Sequence, residues 1–206
     1  MRIGLVPSLS RPGGNITSVT QLNLEIMPKR LELIHELLPA ATDFALLVNP
    51  ASSALAESAA RSSQAAAQSL GLRLHVVHAR SDADFDAAFA QLSKLHVAGL
   101  VIAPDAFFFS RRVQLAKQSI RHAMPAVLET HEFVASGGLA SYGGSFKESY
   151  RLAGAYVARI LKGERPGELP VQQATKVELL LNVKIAKALG LAIPISVLGR
   201  ADEVIE

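Results

Sequence analysis

Short apolar segments alternate with helical patterns along most of this chain, and this alternation restricts the fold more than any other feature. Apolar runs bounded by turn residues predict five strands, and helix-type spacing of apolar residues fills the intervals between them. The strand segments are DFALLVNP, LRLHVVHA, AGLVIAP, PAVLE and GLASYG. Strands that alternate with helices through short turns form a parallel sheet covered on both faces. The sequence therefore predicts an α/β fold with a doubly wound, flavodoxin-like parallel sheet.

Further helices and one more strand are predicted around and beyond this series. One helix should run from about Ser110 to His122, after the third strand. An amphipathic helix follows the fifth strand, and the turn-rich segment KGERPGELP, the strand KVELLLN and the short helix VKIAKALG come after it. One face of the amphipathic helix carries an apolar row at helical spacing, made up of Phe146, Tyr150, Ala153, Val157 and Ile160.

Composition and charge exclude several classes of protein. Hydrophobic residues make up 50% of the 206 residues and charged residues 19%, which is typical of a globular chain rather than a disordered one. The formal net charge is +3, but the basic residues are scattered instead of forming a basic face, so a nucleic-acid partner is not expected. Cysteine is absent, which removes disulfides, thiolate zinc sites and Cys nucleophiles.

Membrane and export signals are also not evident. No segment is long enough to span a bilayer, and the apolar run of the N-terminus MRIGLVPSLS is too short for a secretory signal. A polypeptide made in this form is therefore expected to be soluble, to be retained in the cytoplasm, and to have no membrane span.

The carboxyl ends of the predicted strands carry the candidate ligand-binding residues, since open parallel sheets bind ligands there. Ser52 and Ser53 begin a helix, whose N-terminus attracts an anion such as a carboxylate, although helix capping is the simpler interpretation of either serine alone. Asp105 and Glu129 are either ammonium ligands or solvated loop carboxylates, and residue type alone leaves both readings open. The full candidate set is Asn49, Ser52, Ser53, Asp105, Phe107, Glu129 and Tyr142.

The run Phe107–Phe108–Phe109 stands out because aromatic residues make up only 5% of the chain. Successive side chains point in different directions, so the three rings cannot all face one core. We expect at least one of them to face a cleft or to pack under a loop, and Tyr142 could join it as an aromatic wall.

Catalytic and metal-binding signals are weak. GxGxxG, Walker A and GxSxG motifs are missing. His122, His131 and Asp105 are too scattered to define a metal site, and the pair His75 and His78 has no acidic partner in sequence reach. The sequence therefore predicts no enzyme activity, no cofactor and no metal.

A family resemblance appears when the segments are read together. These are SLSRPGGNITSV, KRLELIHELLP, ALLVNP, PDAFFFSRR, AVLETHEFVASGGLASYG, YVARILKGERPGELPVQQATKVELLLNVKIAKALGLAIP and ADEVIE. In this order they resemble the ABC-transporter substrate-binding protein family with the type I periplasmic-binding fold. The best-known branch of that family binds tryptophan and tyrosine.

The resemblance implies two α/β lobes joined by three crossing segments, with the solute held between them. By this similarity residues 1–24 end lobe one and form the first crossover, and residues 25–142 form ligand-binding lobe two. Residues 143–171 hold a return helix of lobe one, and residues 172–206 cross back and end the chain. The segment RIGLVPSL, which reads locally as a strand, becomes a short helix, and the implied hinge residues are Gly13, Gly14, Asn15, Thr17 and Gly143.

The function implied by the resemblance is that of a non-catalytic solute-binding component of an ABC importer. Its partners would be a small-molecule solute, such as an aromatic amino acid, and an ABC permease, and its location would be periplasmic or extracytoplasmic. Members of the family carry an export signal and most of lobe one ahead of the matching region. This departure from the family makes the chain a truncated form, a misplaced start or a divergent single-lobe descendant. We expect it to bind solute weakly or not at all and to self-associate through the helix 146–161.

Two other functions remain open at this point. A small flavodoxin-like enzyme or nucleotide-binding domain would be indicated by a phosphate bound at Ser52. A ligand-sensing module of a regulator would be indicated by an upstream helix-turn-helix, since repressor effector domains share this fold.

Overall fold

The computed structural model describes residues 5–206, and this part of the chain contains nine β-strands and nine α-helices. The strands are β1 (Val19–Gln21), β2 (Asp43–Val48), β3 (Arg73–His78), β4 (Gly99–Ile102), β5 (Ala126–Leu128), β6 (Ala140–Gly144), β7 (Gln172–Ala174), β8 (Val177–Asn182) and β9 (Glu203–Ile205). The helices are α1 (Met27–Leu37), α2 (Ser53–Ser69), α3 (Asp84–Lys94), α4 (Ala106–Ser110), α5 (Arg112–Arg121), α6 (His131–Ala135), α7 (Phe146–Leu161), α8 (Val183–Ala188) and α9 (Ile195–Leu198).

Seven strands form the main sheet, in the order β3-β2-β4-β5-β6-β8-β9. The pairs β2–β3, β2–β4, β4–β5, β5–β6 and β8–β9 are all parallel. The first five strands follow the flavodoxin-like order, in which the second strand in sequence lies at the edge and the chain then proceeds in the opposite direction. This confirms the predicted parallel α/β sheet.

Both faces of the main sheet are covered by helices, because alternate side chains of each strand point to opposite faces. In β2, Ala45 and Leu47 join a cluster that also contains residues of α3, α5 and α6. Phe44, Leu46 and Val48 join a second cluster, with residues of α1, α2, α8 and α9. The sheet is therefore doubly wound, as predicted.

The chain divides into two compact units. The larger unit consists of Asn23–Gly143 and Glu178–Glu206 and holds the main sheet. The smaller unit consists of residues 5–22 with Gly144–Val177. In the smaller unit β1 and β7 form a parallel two-stranded sheet, and α7 packs on both strands. The Tyr156 hydroxyl of α7 donates a hydrogen bond to the Pro170 carbonyl at 2.6 Å.

Several sequence-based expectations need correction. The main sheet has seven strands rather than five, because β8 and the short edge strand β9 extend it. The helix expected at about 110–122 is present as α5, but a further short helix, α4, precedes it because Asp105 caps an earlier start, and Arg111 separates the two. Part of the segment RIGLVPSL lies outside the described residues, and from Leu5 to Leu9 the chain forms neither the strand nor the helix considered for it.

Candidate functional site

The loop after β2 is built by Asn49, whose side chain is almost fully buried. Its Oδ1 accepts a hydrogen bond from the Ala51 N–H at 3.0 Å and thereby caps the 3₁₀ turn Pro50–Ser52 that leads into α2. Pro50 suits the first position of this turn because it has no N–H to satisfy. Asn49 therefore fixes the direction in which the chain leaves the strand and enters the helix.

Asp105, directly N-terminal to α4, joins this loop to the one that follows β4. One carboxylate oxygen accepts hydrogen bonds from Asn49 Nδ2 at 3.0 Å and from the Phe107 N–H at 2.9 Å. The other accepts from the Ser52 hydroxyl at 2.7 Å. The structure thus brings three of the predicted site residues into one hydrogen-bonded cluster, composed of Asn49, Ser52 and Asp105.

The two serines at the start of α2 differ in their surroundings. Ser52 occupies the N-cap position, but its hydroxyl turns to Asp105, so its side chain does not cap the helix. Ser53 is the first residue of α2 and is exposed to solvent. The simple capping interpretation is therefore wrong for the Ser52 side chain.

The three phenylalanines of α4 point in different directions, as the sequence indicated. Phe108 is fully buried, whereas Phe107 and Phe109 are half-buried. The Phe107 ring stacks on Phe85, with centroids 5.5 Å apart and an interplanar angle of 15°. The Arg111 guanidinium lies 5.7 Å from the Phe107 centroid. The Phe107 ring is therefore partly covered by other side chains of the protein.

Glu129 follows β5 and is only 4% exposed. Its Oε2 has no hydrogen-bond partner among the described residues. Burial raises the pKa of Glu129 to about 7, and the nearby charge of Arg30 opposes that rise, while the negative charges of Asp105 and Glu132 add to it. A buried carboxyl group with an unpaired oxygen is suited to receive a donor from a ligand.

Tyr142 lies in β6, next to the end of β5. Its ring packs against the cluster that includes α1 and α2, whereas Phe107 packs against the opposite cluster. The structure therefore places the two rings on different faces of the sheet. Gly143 follows Tyr142, and a Cβ atom there would lie 1.9 Å from the Glu129 carbonyl oxygen, so only glycine permits this approach of β6 to β5.

The other predicted hinge residues lie inside the smaller unit. The Gly13 N–H donates to the Gly167 carbonyl at 2.9 Å, and the Thr17 hydroxyl donates to the Leu169 carbonyl at 2.8 Å. Gly14 and Asn15 are exposed between them. The boundary between the units falls after Leu22. The role of Gly13, Gly14, Asn15 and Thr17 as hinge residues stays a prediction.

Arg30 is a buried group that the sequence interpretation missed. It lies on α1 in the same stripe as Met27, Leu31 and Ile34 and is 0% exposed. The sequence signal for it was a cation three positions after Met27 in an otherwise apolar stripe of the helix.

Across residues 5–206, no three His, Asp or Glu side chains gather closely enough to hold a metal ion, and no helix is both long and apolar enough to cross a membrane.

Comparison with known proteins identifies the family of this chain. The family model described as ABC transporter substrate binding protein matches residues 1–205. This chain belongs to that family. The family consists of solute-binding proteins, so the site at the strand ends is a candidate solute site.

Individual relatives support the same assignment. The chain is 25% identical over 190 residues to the tyrosine-binding protein of Clostridioides difficile. This alignment covers 91% of this chain and 53% of that protein. A conserved domain protein from Vibrio cholerae superposes with a TM-score of 0.85 at 28% identity, covering 97% of this chain and 66% of the other. The ABC domain of Streptococcus pneumoniae in complex with L-Trp superposes with a TM-score of 0.84 at 25% identity, covering 100% and 70%. The chain therefore spans about half the length of the curated relative that it matches.

Proposed function

We propose that the protein is the solute-binding component of an ABC importer and that its ligand is an aromatic amino acid or a similar small zwitterion. The observation that carries this proposal is the arrangement at the strand ends: Asn49, Ser52 and Asp105 form one cluster, and buried Glu129 ends β5, the strand that pairs with β4. The relatives named for tyrosine binding and solved with L-Trp support the aromatic class of ligand.

The ligand's charged groups would be received by different parts of this arrangement. The start of α2 beside Ser52 and Ser53 suits the carboxylate, because backbone N–H groups and the helix dipole favour an anion there. Glu129 suits the ammonium group better than Asp105 does, since both oxygens of Asp105 already accept hydrogen bonds within the protein. Phe107 and Tyr142 are separate candidates for the contact with the aromatic ring, because their rings pack on different faces of the sheet.

The wider biology also belongs to the proposal. The larger unit corresponds to lobe two of the two-lobed fold, and the smaller unit to part of lobe one. The protein would work outside the cytoplasm, deliver its solute to an ABC permease, and perform no catalysis. Lobe closure around the solute would provide the recognition signal.

Calorimetric titration with L-tryptophan and three truncated analogues tests this proposal. Tryptamine lacks the carboxylate, indole-3-propionate lacks the ammonium group, and indole lacks both. We expect L-tryptophan to bind most tightly and each missing charge to weaken binding by about 1.5–3 kcal/mol, the range for a charge-assisted hydrogen bond. Equal affinities for all four compounds would contradict the site, and no heat with either L-tryptophan or L-tyrosine would contradict the ligand class.

Substitution of Glu129 by Gln tests the same site from the protein's side. This change keeps the size of the side chain and removes its negative charge. We expect it to weaken L-tryptophan binding by about 1.5–3 kcal/mol while binding of indole-3-propionate, which has no ammonium group, is unaffected. Unchanged affinity for L-tryptophan would remove Glu129 from the site.

A further inference from the structure

Arg30 is the most unusual buried group of the larger unit. Its side chain is fully buried, on a helix that otherwise buries Met27, Leu31, Leu33, Ile34 and Leu37. A guanidinium is seldom fully buried unless hydrogen bonds and a counter-charge compensate for the lost water. Burial lowers the pKa of Arg30 to about 10, so the group is still charged at neutral pH.

Three hydrogen bonds of Arg30 go to the two places where the chain enters and leaves the main part of the larger unit, and another goes to Met27 Sδ on the same helix at 2.9 Å. Its Nε–H donates to the Tyr142 carbonyl at 2.6 Å. Its Nη1 donates to the Asn23 carbonyl at 2.8 Å, and its Nη2 donates to the Asn23 side-chain oxygen at 3.3 Å. Asn23 is the first residue of this unit, and Tyr142 precedes Gly143, where the first segment of the unit ends.

None of these acceptors is an anion, so they do not neutralise the charge of Arg30. The Tyr142 carbonyl that Arg30 contacts is followed by Gly143, which packs directly against the Glu129 backbone. The buried carboxyl group of Glu129 is therefore the neighbouring counter-charge of Arg30. The groups that act on Glu129 come from three packed elements: Arg30 from α1, Asp105 at the start of α4, and Glu132 from α6. Arg30 is the cation among them, and the two carboxylates oppose the ionisation of Glu129. Removal of Arg30 would therefore leave Glu129 buried among like charges.

We propose that Arg30 is a positioning residue of the ligand site, which favours the charged form of Glu129 that would receive a ligand ammonium group and holds the backbone at Asn23 and Tyr142 with the same guanidinium. Arg30 itself need not touch the ligand. The part that concerns the ligand rests on the proposed function. The part that concerns the charge of Glu129 can be tested in the ligand-free protein.

Arginine meets both requirements, whereas lysine meets only one. Its planar fork presents N–H groups in several fixed directions, so it can reach Tyr142 and Asn23 together and still carry its charge. A lysine at position 30 would keep a positive charge but not the fork. Arg30→Met would remove both. These two variants separate the electrostatic effect from the structural one.

The deciding experiment is an NMR titration of the Glu129 side-chain carboxyl carbon in the ligand-free full chain, with its signal assigned by its loss in Glu129→Gln. In Arg30→Met we expect the midpoint to rise by about one pH unit or more, because a nearby opposite charge is lost. In Arg30→Lys we expect a midpoint close to that of the wild type. A merely structural role would destabilise both variants without moving the midpoint, and an unchanged midpoint in Arg30→Met would overturn the proposal.

A double variant keeps the proposal testable if Arg30→Met does not fold. Combining Arg30→Met with Glu129→Gln removes the buried carboxyl that would be left without its cation. We expect the double variant to be more stable than Arg30→Met alone. A double variant that is no more stable would show that the two residues do not act as a pair.

The ligand arm uses L-tryptophan at pH 7 and at pH 9. We expect Arg30→Met to bind about fivefold more weakly at pH 7, because a rise of about one pH unit in the midpoint lowers the ionised fraction of Glu129 from about one half to about one tenth. Most of this loss should be recovered at pH 9. Equal losses at both pH values would contradict the role of Arg30 through Glu129. If the wild type binds no amino acid, the proposed function fails, and the carboxyl titration still decides the role of Arg30.

Discussion

Replacement of Glu129 by Gln should change how the stability of the protein depends on pH. The folded state holds the pKa of Glu129 at about 7, whereas its ordinary value is 4.5. Below pH 4.5 the carboxyl group is neutral in both the folded and unfolded states, so burial costs nothing extra. As the pH rises from 4.5 through 7, the unfolded state ionises first, and stability is lost until the folded state ionises as well.

The magnitude follows from the difference of about 2.5 pH units between these two pKa values. At about 1.4 kcal/mol per unit, the ionisable group lowers the free energy of unfolding by about 3 kcal/mol between pH 4.5 and pH 8. Glu129→Gln is neutral throughout, so it lacks this loss. The stability of the wild type relative to the variant should therefore fall by about 3 kcal/mol over this interval.

Urea unfolding of both proteins at closely spaced pH values would measure this difference. Taking the difference between the two proteins cancels the pH-dependent contributions of the titratable groups that both of them share. Glu57→Gln is a control for the loss of a glutamate charge, because Glu57 is exposed on α2 and pairs with Arg61. An exposed ion pair contributes little to stability, so this variant should not reproduce the change of about 3 kcal/mol. A pH-independent difference for Glu129→Gln would refute the reasoning.

Three further predictions concern other parts of the chain. Gly143→Ala should lower the free energy of unfolding in urea by about 1–3 kcal/mol or more, because the added methyl collides with the Glu129 backbone. Gly154→Ala, which has open space around it, should raise it by about 0.5–1 kcal/mol, and equal effects of the two variants would refute the close approach at Gly143. Asp105→Ala should lower the free energy of unfolding by about 1–3 kcal/mol, because three hydrogen bonds to the carboxylate are lost. An unchanged thermal midpoint would contradict a stabilising role of the Asn49–Ser52–Asp105 cluster. Val157→Asp should reduce the concentration-dependent self-association that sedimentation measures. Ile195→Asp, at a more exposed position outside α7, should not reduce it, and equal effects of the two variants would exclude the α7 face as the surface of self-association.

The main sheet could be predicted from the sequence because its strands are continuous apolar runs bounded by turns. Such runs indicate strands buried on both faces, and the alternation with helices leaves few topologies. The edge strand β9 was missed for the opposite reason. It has three residues, two of them exposed, and it exists because β8 offers an edge for it to pair with. A pattern of that length does not distinguish a strand from a loop.

The candidate site was predictable as a place but not as a set of contacts. Parallel topology puts the loops after β2 and β4 side by side, and this led to Asn49, Ser52 and Asp105. The sequence did not indicate that Asp105 is occupied by internal hydrogen bonds while Glu129 is buried with a free oxygen, because both are carboxylates at the end of a strand. Arg30 was missed because its importance arises from contacts with Asn23 and Tyr142, the latter 112 positions away along the chain.

The central claim is that an aromatic amino acid binds at the strand ends of the larger unit. The most direct test is to add L-tryptophan to the ¹⁵N-labelled protein and to follow the backbone amide signals. We expect saturable shifts concentrated at residues 49–53, 105–107, 129–131 and 142–143, with little change at the opposite, amino ends of β2, β3 and β4. Saturable shifts that avoid these loops, or a folded protein whose spectrum L-tryptophan does not change, would contradict the account.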